Sequence, residues 1–351
     1  MDQELVYFDG AYASVEEAGY PVWERGVMFA DGVYEVLRYE GGIAFEVGRH
    51  MARLRRSLAG IGLAVTEEQL AEWVAASDGL VERNRWESAL VYWQVTRGFA
   101  AGMGKRSHVM VPADEQRAVV MMTGSAVEPV SRKVGTSVPG VDVISVADRR
   151  WGNCWIKSLM LLPNSAAKTA AARAGCGEAV FVRPPEGKVS GRLDAAEAAS
   201  PRGGGEGLVE AAAEDGWVTE GASTNVLMVR DGELWTAPES RWILGGVTRG
   251  VLLEEAERLG VQVREDWFTL AELRAAEEVM VCGTGTMLAR VGRLDGAVVG
   301  ETAPQPSAAV GLEGGVTQAL WEGLVGRVCA VGARPVASDR VKQQGSNGVA
   351  I

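Results

Sequence analysis

A change of hydrophobic period near residue 47 constrains this chain more than any other feature. Before it, short apolar runs are separated by tight-turn pairs. Leu5-Val6-Tyr7-Phe8, then Asp9-Gly10, then Ala11-Tyr12 reads as strand, turn and strand. Gly32 to Tyr39 alternates in character, and Glu40-Gly41-Gly42 turns it back into Ile43-Ala44-Phe45. After it, Met51, Leu54, Leu58 and Ile61 recur at helical spacing. Hairpins over 4–47 are thus followed by a helix on which His50 and Arg53, three apart, share a face. Thr66-Glu67-Glu68-Gln69 has capping-box form and opens a second helix to about residue 84.

Residues 89–95 and 118–122 read as strands on either side of a glycine- and charge-rich loop, 98–116. The polar, proline-bearing stretch 123–135 reads as a linker between a domain at 1–122 and a second at 136–332, with a tail at 333–351. The second domain opens with a strand at 141–144, a lysine-bearing stretch, an alanine-rich helix to about Ala174 and a strand at 179–182. Residues 184–215 lack apolar periodicity and read as a solvated insertion. Beyond them come a hairpin around Arg230-Asp231-Gly232, a helix stopped by Gly260, a strand at 278–283, a turn at 293–296 and a helix at 314–331.

The chain has 351 residues, which as a prior means about two domains. A formal charge of −11 disfavours nucleic acid or an anionic membrane as partner. The start, Met1-Asp2-Gln3-Glu4, lacks the basic and apolar regions of a signal peptide, so a cytoplasmic location is expected. The four cysteines form no CxxC pair, and two histidines are too few for a histidine-rich metal site, so no metal is expected.

Lys157 follows the apolar pair Trp155-Ile156 at the mouth of a small-residue helix. A lysine acts as a nucleophile when burial or a nearby cation lets its amine lose the proton. Taken alone, it also fits a surface lysine. Lys168, in the helix itself, shows no sign of more than a solvated side chain. Gly245-Gly246-Val247-Thr248 precedes a helix, a place where backbone amides and a hydroxyl suit one phosphate group. It lacks a P-loop lysine and a dinucleotide spacing, and a plain helix start fits it too. Gly283-Thr284-Gly285-Thr286 is a second such turn. Arg53 would complete a phosphate site as its cation, although an arginine-rich helix face is also simply solvated. Glu220, in Val218-Thr219-Glu220-Gly221-Ala222-Ser223-Thr224-Asn225, is a carboxylate suited to a protonated ring nitrogen, or an ordinary hairpin-edge glutamate.

In their order and spacing these motifs resemble the fold-type IV pyridoxal-phosphate aminotransferases, and among them the D-amino-acid aminotransferases. The resemblance runs from about residue 5 to 328, outside 184–215. It rests on Asp31-Gly32-Val33-Tyr34-Glu35-Val36, His50-x-x-Arg53-Leu54, Gln94-Val95-Thr96-Arg97-Gly98, Ile156-Lys157-Ser158-Leu159, Thr219-Glu220-Gly221-x-Ser223-x-Asn225 and Ile243-Leu244-x-Gly246-Val247-Thr248-Arg249. It implies a two-domain α+β fold, with a small N-terminal α/β sandwich domain and a larger C-terminal pseudo-barrel domain that binds pyridoxal 5'-phosphate. By similarity, Lys157 would form the Schiff base with the cofactor and move a proton at the substrate α-carbon. Glu220 would hold the pyridine nitrogen protonated. Arg53, Val247, Thr248 and Thr284 would bind the phosphate, and Leu244 would pack on the ring. Tyr34 would face the substrate. Arg106 and His108 match an Arg-x-His pair that traps the substrate carboxylate across a homodimer interface, although Arg106 comes about four residues late after Arg97. Arg38, on the face of Tyr34 and Val36 by strand alternation, is a rival carboxylate binder. The expected activity is ping-pong transfer of an amino group between a D-amino acid and a 2-oxo acid. A branched-chain L-amino-acid aminotransferase and an aminodeoxychorismate lyase are the competing readings.

Overall fold

The alternation of Gly32–Glu40 sorts its side chains onto two faces, and both are used. In the computed structural model, which describes residues 4–98, 107–110, 117–184, 209–301 and 312–333, Val33, Leu37 and Tyr39 enter a buried core while Tyr34 and Val36 line a cavity. The elements of this first part are β1 (Leu5–Phe8), β2 (Ala11–Ser14), α1 (Arg25–Phe29), β3 (Gly32–Glu40), β4 (Ile43–Ala44), α2 (Val47–Gly60), α3 (Glu67–Arg83), β5 (Ser88–Thr96) and β6 (Val119–Ala126). The six strands form one sheet, β2-β1-β6-β5-β3-β4. Neighbours are antiparallel throughout. Met51, Leu54 and Leu58 of α2 and Leu70, Trp73 and Leu80 of α3 cover one face of it. Buried polar groups there are paired: the Tyr39 hydroxyl reaches Ser77 and Asp78 at 2.8 Å each, and the Trp93 indole N–H reaches Ser77 at 3.0 Å.

The second part contains β7 (Gly140–Ala147), α4 (Leu162–Arg173), β8 (Glu178–Arg183), β9 (Trp217–Gly221), β10 (Asn225–Arg230), β11 (Glu233–Thr236), α5 (Val247–Arg258), β12 (Val263–Glu265), α6 (Leu270–Arg274), β13 (Glu278–Gly283), β14 (Met287–Leu294), β15 (Ala297–Val298) and α7 (Gly315–Gly332). Its strands run β12-β11-β10-β13-β14-β7-β8-β9, with β15 on β14. The sheet is mixed, because β7 is parallel to both β8 and β14. β9 and β10 are far apart in that order yet consecutive in the chain. A tight corner, closed by Gly221 N–H donating to Thr224 O at 2.7 Å, brings the sheet round on itself. The result is the partial barrel of the expected two-domain α+β fold. Among the described residues no helix is long and apolar enough to cross a membrane.

Several local expectations are borne out. The capping box at Thr66 and Gln69 is present, and Gly260 stops α5 at φ +75°. Others are corrected. α1 lies inside the stretch read as hairpins. Its N-cap is Glu24, whose Oε2 accepts from Val27 N–H at 2.9 Å, and glutamate is not a residue that marks a helix start. Residues 123–126, assigned to the linker, continue β6 and pair with β5; backbone pairing needs no apolar residue on a half-exposed strand end. Within the presumed solvated insertion, most of residues 209–215 are exposed, yet the segment is anchored. The Glu210 carbonyl accepts from Ala147 N–H at 2.9 Å, and the partly buried Val209 and Ala212 pack against core clusters. Such small side chains leave no apolar period to read. Lys168 is likewise tied down, donating to Gly177 O at 2.6 Å. Residues 185–208 and the tail beyond Ala333 lie outside the described residues.

Replacing Thr66 by Ala removes the side-chain half of the α3 cap. The expected loss is about 1 kcal/mol, read as a lower urea midpoint at unchanged slope.

Candidate functional site

Lys157 is placed by backbone pairing. Tyr34 N–H donates to Lys157 O at 2.8 Å and Leu159 N–H to Gly32 O at 3.1 Å, while Val33 faces Ser158 across an antiparallel bridge. Lys157 N–H donates to the Ser57 hydroxyl of α2 at 3.1 Å. Ile156 is buried in the core of the first sheet. With its backbone held from two sides, Lys157 extends into a cavity of about 310 Å³. That lies at the low end of the roughly 300–1,000 Å³ common for small-molecule sites. Its Nζ lies 4.1 Å from the centre of the Tyr34 ring.

Glu220, at the end of β9, lines the same cavity and is buried. One carboxylate oxygen pairs with Arg150. The other accepts from Leu244 N–H at 2.9 Å and Asn225 Nδ2 at 3.3 Å. Burial pushes the Glu220 carboxyl above its usual range, and Arg150 and the Leu244 N–H pull against that rise. Arg150 is itself clamped by Asp148 at 3.0 Å, and its guanidinium lies 4.4 Å from the centre of the Phe181 ring. Burial works against its charge, but Glu220 and Asp148 hold it firmly protonated.

The Leu244, Val247, Thr248 and Thr284 positions all line the cavity, as does Arg53. Val247 and Thr248 begin α5, where amides have no intrahelical acceptor. Gly246 is the N-cap, and a Cβ there would run into the Asn225 carboxamide. Only glycine lets this loop cross Asn225 and bring the helix start to the cavity. Arg53 is buried, with Nε 3.0 Å from Glu35 Oε2 and Nη1 3.2 Å from Gly245 O. His50 Nδ1 lies 3.1 Å from the other Glu35 oxygen, so the shared face read from the sequence is real. Burial alone would raise the Glu35 carboxyl, but Arg53 and His50 hold it far below the usual range. Burial lowers His50, favouring its neutral form.

Two expected substrate residues, Arg38 and His108, lie outside the cavity lining. Arg38 is buried behind the 283–286 turn rather than in the cavity lining. Its Nε and Nη2 reach the carbonyls of Thr284 and Gly285 at 3.4 and 3.5 Å, and its Nη1 has no hydrogen-bond partner. Carbonyl and amide point oppositely across a trans peptide, so the amides of Gly285 and Thr286 face away from Arg38. His108 packs against Phe29, with ring centres 5.2 Å apart, and is not part of the lining. Arg106 lies outside the described residues.

Residues the sequence did not single out complete the site. Glu35 was detectable, as a carboxylate on the buried face of an alternating strand opposite His50 and Arg53. Arg150 had no such signal. Glu178 was also missed; its buried carboxylate accepts from the Ser223 hydroxyl at 2.6 Å and the Thr224 hydroxyl at 3.2 Å. Cys154 and Cys282 line the cavity too, but burial pushes their thiols up to about 11 and about 12, so neither is a thiolate nucleophile.

The sequence profile of the amino-transferase class IV family matches residues 32–191 and 188–294. The D-alanine aminotransferase of Staphylococcus aureus is 32% identical over 320 residues, covering 91% of this chain and 96% of its own. Among solved structures, the branched-chain aminotransferase from Thermoproteus uzoniensis, bound to norvaline, superposes with a TM-score of 0.68 at 24% identity, covering 92% of this chain and 95% of its own. A PLP-bound hypothetical aminotransferase from Mycobacterium tuberculosis gives 0.66 at 22% identity, covering 93% and 99%. At these identities the structures speak for the fold alone.

Replacing Glu35 by Gln leaves Arg53 buried without its counter-charge, and the expected loss is roughly 3–5 kcal/mol. Because the folded-state pKa of Glu35 is depressed, its contribution is present above the unfolded value of about 4.3 and is lost as pH falls through the folded value. The stability gap between wild type and variant, followed by denaturant melts, should be widest above about pH 5 and shrink on acidification below about pH 4.

Proposed function

The chain belongs to the amino-transferase class IV family, and from that membership we propose a pyridoxal-phosphate-dependent transaminase acting between a D-amino acid, such as D-alanine, and a 2-oxo acid. The observation that carries the cofactor assignment is the gathering of Lys157, Glu220, Arg53 and the start of α5 around one cavity. The donor set fits the group: a buried carboxylate for a ring nitrogen, a glycine-cradled helix start with an arginine for a phosphate, and an amine for an aldehyde. When bound, this cofactor supplies an electrophilic carbon and an electron-withdrawing ring.

The chain's own residues then divide the work. Lys157 Nζ is the nucleophilic amine and the group that takes and returns the proton of the substrate α-carbon. Glu220, paired with Arg150 as a carboxylate, keeps a proton on the ring nitrogen. Arg150 and the Leu244 and Asn225 N–H groups fix its orientation. Arg53, held by Glu35, and the amides and hydroxyl at Val247 and Thr248 bind the phosphate, with Thr284 beside them. Leu244 packs on the ring face.

The D-amino-acid assignment is supported by the curated relatives and by the Arg106-Ser107-His108 spacing. A homodimer with the site at its interface belongs to the same proposal. Val22, Trp23, Val27, Val109 and Met110 leave an exposed apolar surface beside that loop. A branched-chain L-aminotransferase is the second reading, favoured by Arg38, whose placement offers a carboxylate the amides of Gly285 and Thr286 instead.

Purified protein should show a long-wavelength cofactor band that is absent in Lys157→Ala. D-alanine should bleach it in wild type, and bleaching by L-leucine alone would sink the D-specific reading. Arg106→Ala should weaken use of D-amino acids much more than cofactor binding, measured by donor kinetics beside cofactor titration. Unchanged donor kinetics would shift the carboxylate to the Arg38 side.

A further inference from the structure

Arg25 is a buried cation outside the cavity, 7% exposed. Its Nε donates to Asp31 Oδ2 at 2.7 Å. Its Nη1 donates to the carbonyls of Ser107 at 2.9 Å and Val109 at 3.2 Å. Its backbone N–H donates to Gly98 O at 3.1 Å. The guanidinium lies 4.9 Å from the centre of the Phe29 ring, the ring on which His108 packs. Asp31 is also held by Arg97, whose Nε lies 2.9 Å from the same Oδ2 and 3.1 Å from Oδ1, and Arg97 Nη2 reaches Ile61 O at 2.6 Å. One guanidinium therefore ties α1, the entry to β3 and the 107–109 segment together.

Apolar burial does little to set the position of Val109 and Met110 in that segment. Val109 is 72% and Met110 56% exposed, and a stretch with so few buried apolar contacts is positioned by specific bonds or not at all. Hydrogen bonds from a buried cation to two carbonyls are strong enough to do it. Arginine's rigid fork can serve a carboxylate and two carbonyls at once, whereas a lysine head cannot span them.

We propose that Arg25 is a positioning residue that latches Ser107–Val109, and His108 with them, to the body of its own subunit, and so sets the affinity for the substrate carboxylate. This rests on the reading that the loop bearing His108 meets that carboxylate. The test compares wild type, Arg25→Lys and Arg25→Gln as cofactor-loaded enzyme. Amide hydrogen exchange over residues 107–110 is read beside steady-state kinetics, using the donor that wild type accepts. Arg25→Lys keeps a charge towards Asp31 and preserves the fold should Arg25→Gln not fold. The expected result is about tenfold faster exchange in that segment and a donor KM raised about tenfold, with kcat and cofactor absorbance little changed. Unchanged exchange overturns the latch. Faster exchange at unchanged KM also overturns the proposal, since the segment would be held for some other purpose. Failure of the underlying reading shows separately, as unchanged donor kinetics in His108→Ala whatever Arg25 does, and it takes the proposal with it.

Discussion

The antiparallel seam between Gly32–Tyr34 and Lys157–Leu159 is the contact on which the rest of the molecule turns. Two hydrogen bonds and one bridge join parts whose apolar cores are largely separate. Because side chains alternate along a strand, the seam sends Tyr34 into the cavity beside Lys157 and Glu35 away from it, towards α2. A slip of one residue would exchange those two faces. Glu35 would enter the cavity, and Arg53 would lose the carboxylate that aims it. The register of this short pairing therefore decides the chemistry of the cavity as well as the docking of two sheets.

Around the seam sit three buried carboxylate–arginine knots: Glu35 with Arg53, Glu220 with Arg150, and Asp31 with Arg25 and Arg97. Buried ion pairs contribute little net stability, because desolvation cancels most of the attraction, yet losing one partner is costly. Their use here is positional. Arg53 and Glu220 both line the cavity, and Arg25 reaches the carbonyls at 107 and 109. Burial raises the two cavity thiols, so neither is a thiolate beside Lys157.

Much of this was legible from residue order. Most of the hairpins and the helices opening at Thr66 and ending at Gly260 follow from local period and turn chemistry, whereas the burial of Arg53 and Glu220 does not. The residues brought to the cavity lie on motifs whose spacing survives in a single sequence: Lys157 after an apolar pair, Val247 and Thr248 after two glycines, Thr284 in a small-residue turn. What stayed hidden depends on partners distant in the chain. Arg150 gains its meaning from Glu220, seventy residues on, and Arg25 from carbonyls at 107 and 109. No period announces such contacts. The helix at Arg25 and the anchored stretch at 209–215 were missed because a glutamate cap and a run of alanines carry almost no local signal.

The same limit explains why the fold and cofactor site are easier to read than the hand of the substrate. On the proposed function Lys157 would face the α-hydrogen, and exchanging carboxylate and side chain about that hydrogen would invert the configuration of the α-carbon. The candidate partners for a carboxylate lie in different places. Arg38 stands behind the turn whose amides at 285 and 286 face away from it, whereas the loop held by Arg25 carries His108 outside the described cavity lining. Arg38 is plain in the sequence as an alternating residue of a strand, whereas the hold on 107–109 depends on contacts of Arg25 that no motif around Lys157 announces.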